Sequence, residues 1–245
     1  MSAPATGLTS APPRHAAFVR VTHWITALCF FALLLSGLEI LISHPRFYWG
    51  ETGNSGTPVL FKIPIPSSRA TVPTGYNYGL PDQNGWSRSL HFQAAWAAVL
   101  TGLAYLIWGL WTGHFRSNLV PGRSDLNLRA YLAAMAGHLH FKFAGHDDDN
   151  SYNVLQRTAY LSVVFVLFPL VIWTGLALSP GWNSAFPATV NLLGGRQSAR
   201  TLHFFVTVAL VLFLLVHVAM VAVSGFRNRM RGMITGGGAT SKEQP

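Results

Sequence analysis

Residues 200–225 read RTLHFFVTVALVLFLLVHVAMVAVSG, and beyond His203 the run is almost wholly apolar to its end. About 20 such residues cross a hydrocarbon core of about 30 Å, so this stretch predicts a transmembrane helix. Two histidines interrupt it, His203 at its start and His217 well inside. Fourteen residues at 100° each stop about 40° short of four turns, which puts both imidazoles on one face. The same interval spans roughly 21 Å along the axis at 1.5 Å per residue. Ionisable side chains inside a membrane helix are costly and mark function, with partners on neighbouring helices. Two on one face, one near each leaflet, point to two stacked cofactors.

The composition agrees with a membrane protein. Of 245 residues, half are hydrophobic and 10% are charged, against about 25% charged in soluble domains. The net charge of +9 could suggest nucleic acid. However, the basic residues lie between apolar runs and after the last one, as a membrane charge bias would place them, so no nucleic-acid partner is expected. Cys29 is the only cysteine. That excludes an internal disulfide, a Cys-x-x-Cys-His haem attachment and a thiolate cluster, so any cofactor must be held by histidine or carboxylate.

Four spans are expected, at about 18–43, 87–113, 156–179 and 199–225, making an all-α four-helix bundle over residues 18–226. Residues 1–17 form an Ala/Pro/Ser-rich leader expected to be disordered, and 227–245 a basic, then flexible tail. Residues 44–87 hold six prolines and six glycines. With Phe47, Tyr48, Trp49, Tyr76 and Tyr78 they predict an ordered extramembrane cap. Between spans two and three, Leu128, Leu132, Met135, Leu139 and Phe143 make one apolar stripe, expected as an amphipathic helix on the membrane surface. Pro169 should bend span three, and a short Gly/Pro/Asn loop leads from it to span four.

Four spans put both termini on one side. Eleven of the seventeen Lys and Arg fall on that side, among them Arg227, Arg229 and Arg231 next to span four. The termini are therefore expected in the cytoplasm.

A pattern recurs at the start of three spans: Arg20-Val-Thr-His23-Trp24, Arg88-Ser-Leu-His91-Phe92 and Arg200-Thr-Leu-His203-Phe204. Each arginine lies about one helical turn nearer water than its histidine. That suits b-type haem, with neutral imidazole on the iron and guanidinium on the ionised propionates. Depth pairs the ligands as His23 with His217 and His91 with His203, giving two b haems. Gly37 lies at the level of the second pair, where a missing side chain lets a flat ring approach. Gly102 or Gly109 could serve the first in the same way.

These motifs, with Tyr152-Asn153-x-x-Gln156-Arg157, resemble the prokaryotic cytochrome b561 and nickel–iron hydrogenase b-type cytochrome family over roughly residues 15–228. The resemblance implies a four-helix, di-haem electron-transfer subunit in a bacterial inner membrane. It would link a periplasmic catalytic subunit, such as a molybdopterin oxidoreductase, to the quinone pool. Tyr152, Asn153, Gln156 and Arg157 then become candidates for holding the quinone, Arg157 alternatively for a propionate. His146 and Asp147–Asp149 are candidate proton carriers. His138 and His140 point about 200° apart on a helix and share no metal; His15, His44 and His114 read as surface histidines. The long insert departs from the compact members and suggests a docking surface. No nucleophile–base set or phosphate loop suggests chemistry on a substrate by this chain alone. Two other readings stay open: a stand-alone quinone reductase oxidising a small species such as superoxide, and a redox-inert histidine-lined transporter.

Overall fold

The computed structural model describes residues 15–54, 56–64, 83–118, 120 and 154–237. Four helices are long and apolar enough to cross a membrane: Ala17–Ser43, Gly85–Trp111, Leu155–Leu178 and Arg196–Val223. We label the first α1. The second lies within α2 (Gln83–Trp111), which is followed by the short α3 (His114–Asn118). The third comprises α4 (Val154–Ser162), a π-helical turn at Val163–Leu167 and α5 (Phe168–Leu178). Two one-turn helices, α6 (Pro180–Ala185) and α7 (Pro187–Asn191), lead to α8 (Arg196–Val223), and α9 (Phe226–Ile234) closes the described chain. The surface helix expected around 125–143, together with Tyr76, Tyr78, Tyr152 and Asn153, lies outside the described residues.

The polarity of the bundle is inverted relative to a soluble core. Leu28, Leu100, Leu110 and Val216 are all more than 60% exposed. Meanwhile Ser36, Ser87, Thr174 and Ser198 are fully buried. Apolar faces meet lipid at no hydrophobic cost, while small hydroxyl residues allow close helix approach inside. This is the all-α membrane bundle expected from the sequence.

The main helix packing is within two antiparallel hairpins, α1 with α2 and the α4–α5 span with α8. Apolar contact between hairpins includes Phe30 of α1 against the Val163, Val206 and Leu210 cluster. The face carrying both described ends is called the terminal face below; the opposite one, carrying residues 44–64 and 179–195, is the loop face.

Pro169 leaves its mark on the third span as a change of helix type. Lacking an N–H, it removes one rung of the helical ladder and crowds the carbonyl four residues back. The span absorbs this as a π-turn, with the Phe168 amide donating to the Val163 carbonyl, five residues earlier.

The insert contains a small antiparallel strand pair not foreseen from its proline content. Arg46–Phe47 pairs with Phe61–Lys62, Phe47 opposite Phe61. The two rings stack at 4.6 Å, and Phe47 also packs at 4.6 Å on Phe204 of α8. The segment then caps α8. The first-turn amides of Gln197 and Ser198 donate to the Gly50 carbonyl at 2.9 and 3.2 Å. The Arg196 amide donates to the Glu51 carboxylate at 3.0 Å, and the Ser198 hydroxyl accepts from the Gly50 amide at 2.7 Å. The Arg196, Gln197 and Ser198 amides are donors a helix leaves without partners at its N-terminus, and a carboxylate there also meets the positive end of the helix dipole.

Within the tail expected to be basic and then flexible, the basic stretch forms α9 from FRNRMRGMI. Its apolar Phe226, Met230 and Ile234 recur every four residues, an amphipathic pattern, and Gly225 makes the turn into it at φ 93°. Its last carbonyls tie back to α1: Met233 accepts from Trp24 Nε1 at 3.1 Å, and Ile234 from Arg20 at 3.0 Å.

Candidate functional site

The structure brings the four sequence-selected histidines together as two pairs, each bridging the two hairpins. Near the terminal face, His23 of α1 and His217 of α8 have ring centroids 6.4 Å apart. Near the loop face, His91 of α2 and His203 of α8 are 6.3 Å apart. Metal–imidazole bonds are about 2 Å long. Two such bonds plus half the width of each ring fill a gap of this size, so each pair is spaced for one metal between two imidazoles.

The loop-face pair sits against glycine on both sides. A Cβ on Gly37 would lie 3.5 Å from Cε1 of His91, and one on Gly175 would lie 3.3 Å from Cε1 of His203. Each glycine follows a buried hydroxyl that touches the same ring: Ser36 Oγ is 2.9 Å from His91 Nδ1, and Thr174 Oγ1 is 3.0 Å from His203 Nδ1. Ser36, Thr174 and Gly175 were missed in the sequence. A signal was there, because Ser36-Gly37-Leu38 and Thr174-Gly175-Leu176 repeat the same hydroxyl–Gly–Leu order.

The terminal-face pair has an aromatic setting. Phe213 stacks on His217 at 5.8 Å, Tyr160 meets its edge at 6.2 Å, and Trp24 meets His23 at 5.3 Å. His23 Nδ1 and Arg20 Nε are buried with no hydrogen-bond partner among the described residues. Buried polar atoms are nearly always paired. The Arg20 orphan, one helical turn from His23, fits a bound polar group such as a haem carboxylate. Of the two candidate glycines for this pair, Gly109 is ruled out, because the space beside it is taken by the Phe115 ring, 2.5 Å from an added Cβ; at Gly102 the space is open, with nothing within 4 Å of an added Cβ.

Arg88 is exposed at the loop-face end of α2. Arg200 is committed to the insert, donating to the His44 carbonyl and lying 5.0 Å over the Phe47 ring. Arg157 reaches the Val120 carbonyl at 3.4 Å, and Gln156 is half-buried beside it. His114 is not an ordinary surface residue. It is half-buried, with ring contacts to Trp108 at 5.1 Å and to Tyr105 and Phe115 at 6.0 Å, and this burial pushes its imidazole pKa below the ordinary value.

Bis-imidazole pairs in an apolar bundle, with no cysteine motif, suit b-type haem among iron cofactors. Comparison with known proteins agrees. The family model for prokaryotic cytochrome b561 matches residues 14–236. The chain is also 33% identical, over 213 residues, to a protein of Azospira oryzae named putative protein-methionine-sulfoxide reductase subunit YedZ1, covering 85% of this chain and 90% of that one. With four apolar helices, paired histidines and a match along nearly its whole length, the chain belongs to the prokaryotic cytochrome b561 family of multi-pass membrane proteins that bind haem b.

Proposed function

We propose that this protein carries electrons across the membrane between quinone on the terminal-face side and an oxidoreductase partner on the loop-face side, using two haems. The observation behind this reading is the doubling of the site. One helix, α8, supplies an imidazole to each of two histidine pairs, and its two histidines are fourteen residues, roughly 21 Å, apart along the axis. A single structural haem would need one pair. Bound haem supplies a one-electron ferric/ferrous couple at each pair.

The chain's own residues have distinct parts in this scheme. His23 and His217 hold the haem nearer the terminal face, with Arg20 Nε toward a propionate; His91 and His203 hold the other, with Arg88 at its polar edge and Gly37 and Gly175 at the histidine rings. Arg227, Arg229 and Arg231 of α9 favour the cytoplasm for the terminal face, so the chain sits in the cytoplasmic membrane with both termini inside. Quinone would then meet the chain near Gln156 and Arg157, with Tyr152 and Asn153 just before them, where amide and guanidinium donors suit a quinone carbonyl.

The named relative is a subunit, and that supports a protein partner here. By the same likeness the partner acts on methionine sulfoxide in proteins, and the motif resemblance makes it a periplasmic enzyme of the molybdopterin class. That reaction takes two electrons and two protons per sulfoxide and releases water with the thioether. One quinol provides both electrons, which pass singly through the chain. The α8-capping insert gives the partner an ordered surface next to the loop-face pair.

The test is reconstitution in liposomes with a water-insoluble quinol. Both haems should reduce, and reduced-minus-oxidised spectra should show b-type bands from about two haems per chain. A properly folded colourless protein, or one haem only, overturns this reading.

A further inference from the structure

We propose that Ser36 and Thr174 are positioning residues which fix the tautomer of His91 and His203 and hold the loop-face haem's potential low. The inference rests on the ligand reading above and goes beyond it.

A serine or threonine hydroxyl has one hydrogen to give and two lone pairs. Ser36 gives its hydrogen back along its own helix, to the Ala32 carbonyl at 2.7 Å. Thr174 does the same, to the Leu170 carbonyl at 2.8 Å. Toward the imidazoles both oxygens are therefore acceptors. The 2.9 and 3.0 Å contacts then place the proton on Nδ1 of His91 and of His203, for which the Leu33 and Val171 carbonyls are further acceptors. In a neutral imidazole that leaves the lone pair on Nε2, the nitrogen that can bind iron.

The arrangement is built twice. In the first hairpin, Ser36-Gly37 of α1 serves His91 of α2; in the second, Thr174-Gly175 of α5 serves His203 of α8. Both hydroxyl residues are 0% exposed, and both histidines belong to an Arg-x-Leu-His-Phe sequence. Back-bonding alone is a common habit of Ser and Thr in membrane helices. It does not explain why each oxygen also meets a histidine beside a glycine. The terminal-face pair lacks the device at His23, whose Nδ1 is buried without a partner among the described residues.

An acceptor on the distal N–H makes an imidazole a stronger donor to its metal and fixes the ring's orientation. Stronger donation favours ferric over ferrous iron, so losing the acceptor should raise the potential of that haem only.

The experiment is a spectroelectrochemical titration of the whole protein in detergent, with haem content measured alongside. Ser36→Ala and Thr174→Val remove the acceptors; Ser36→Thr and Thr174→Ser keep them. The redox wave lost in His203→Ala identifies the loop-face haem. In each hydroxyl-deleted variant that wave should move upward, by about a tenfold change in the ferrous-to-ferric ratio at fixed potential, or 59 mV for one electron. Haem affinity at this site should fall by about 10–100-fold, while the other wave stays in place. The hydroxyl-keeping swaps should behave as wild type. Loop-face waves unmoved in Ser36→Ala and Thr174→Val, with both haems retained, overturn the proposal and leave the ligand reading standing. A shift of both waves together overturns it as well. If His203→Ala keeps both waves, the ligand reading falls and the proposal with it.

Discussion

A Cβ added to Gly175 would stand 3.3 Å from Cε1 of His203, closer than the 3.5 Å between a Cβ on Gly37 and the same atom of His91. The loop-face site is thus tighter on the α8 side than on the α2 side. His203 cannot readily swing away, because Thr174 holds its Nδ1.

This difference orders a pair of substitutions. Gly37→Ala should be tolerated, since its methyl makes ordinary contact. Gly175→Ala pushes His203 by a few tenths of an ångström and should loosen the loop-face haem. Gly175→Val should reduce bound haem to about half, because overpacking forces a ring off its position. Haem per protein, measured on purified chains, decides it; equal haem in all three variants would show that the glycines are ordinary packing residues.

The two pairs should also fail independently. His217→Ala removes a ligand of the terminal-face haem and His203→Ala one of the loop-face haem. Each should lose its own redox wave and keep the other. Quinol should still reduce the terminal-face haem in His203→Ala but not the loop-face haem in His217→Ala. Stopped-flow absorbance in liposomes reads this directly, and the opposite order would place quinone on the loop face.

Gly195 joins the insert to the bundle. It adopts φ 100°, and a Cβ there would lie 2.8 Å from the backbone of Gly50 and Glu51. Gly195→Ala therefore meets both strain and a collision that no flexible side chain can relieve. A cost of about 1–3 kcal/mol is expected, seen as a lower melting temperature in detergent. Glu51→Gln, which weakens only the carboxylate at the α8 N-terminus, should cost about 0.3–1 kcal/mol. If the insert docks the partner, both should slow transfer to it without changing haem content.

Much of this molecule was legible in the sequence, for identifiable reasons. The spans could be read because length and apolarity are local properties. The pairing of His23 with His217 and His91 with His203 followed from one helical interval and chain direction. Ser36 and Thr174 were missed because a hydroxyl in a membrane helix has a satisfied, uninformative life on its own carbonyls; only the neighbouring helix reveals the second contact. The capping of α8 by Gly50 and Glu51 joins residues 145 apart in sequence or more, and no local pattern encodes it. Arg200 follows the same Arg-x-x-His rule as Arg20, yet the insert claims its guanidinium. The α9 helix was hidden by its arginines, which read as a charge signal before they read as one face of a helix.

His114 gives the chain a pH dependence outside the spans. Burial against Trp108, Tyr105 and Phe115 lowers its pKa in the folded protein, whereas the unfolded value is about 6.5. Between those two values the unfolded chain binds more protons at this site, so stability rises with pH through the window and falls as the solution is acidified. Above about 6.5 both states are neutral and the dependence ends. After correction for the intrinsic chemical rate, the α2–α3 junction should therefore be less protected from hydrogen exchange at pH 5.5 than at pH 7.5. His114→Phe keeps an aromatic ring in the cluster and removes the titration, so its exchange at the junction should be the same at both pH values after correction for the intrinsic chemical rate. A junction equally protected at both pH values in the wild type would mean that the imidazole takes up its proton without leaving the aromatic cluster.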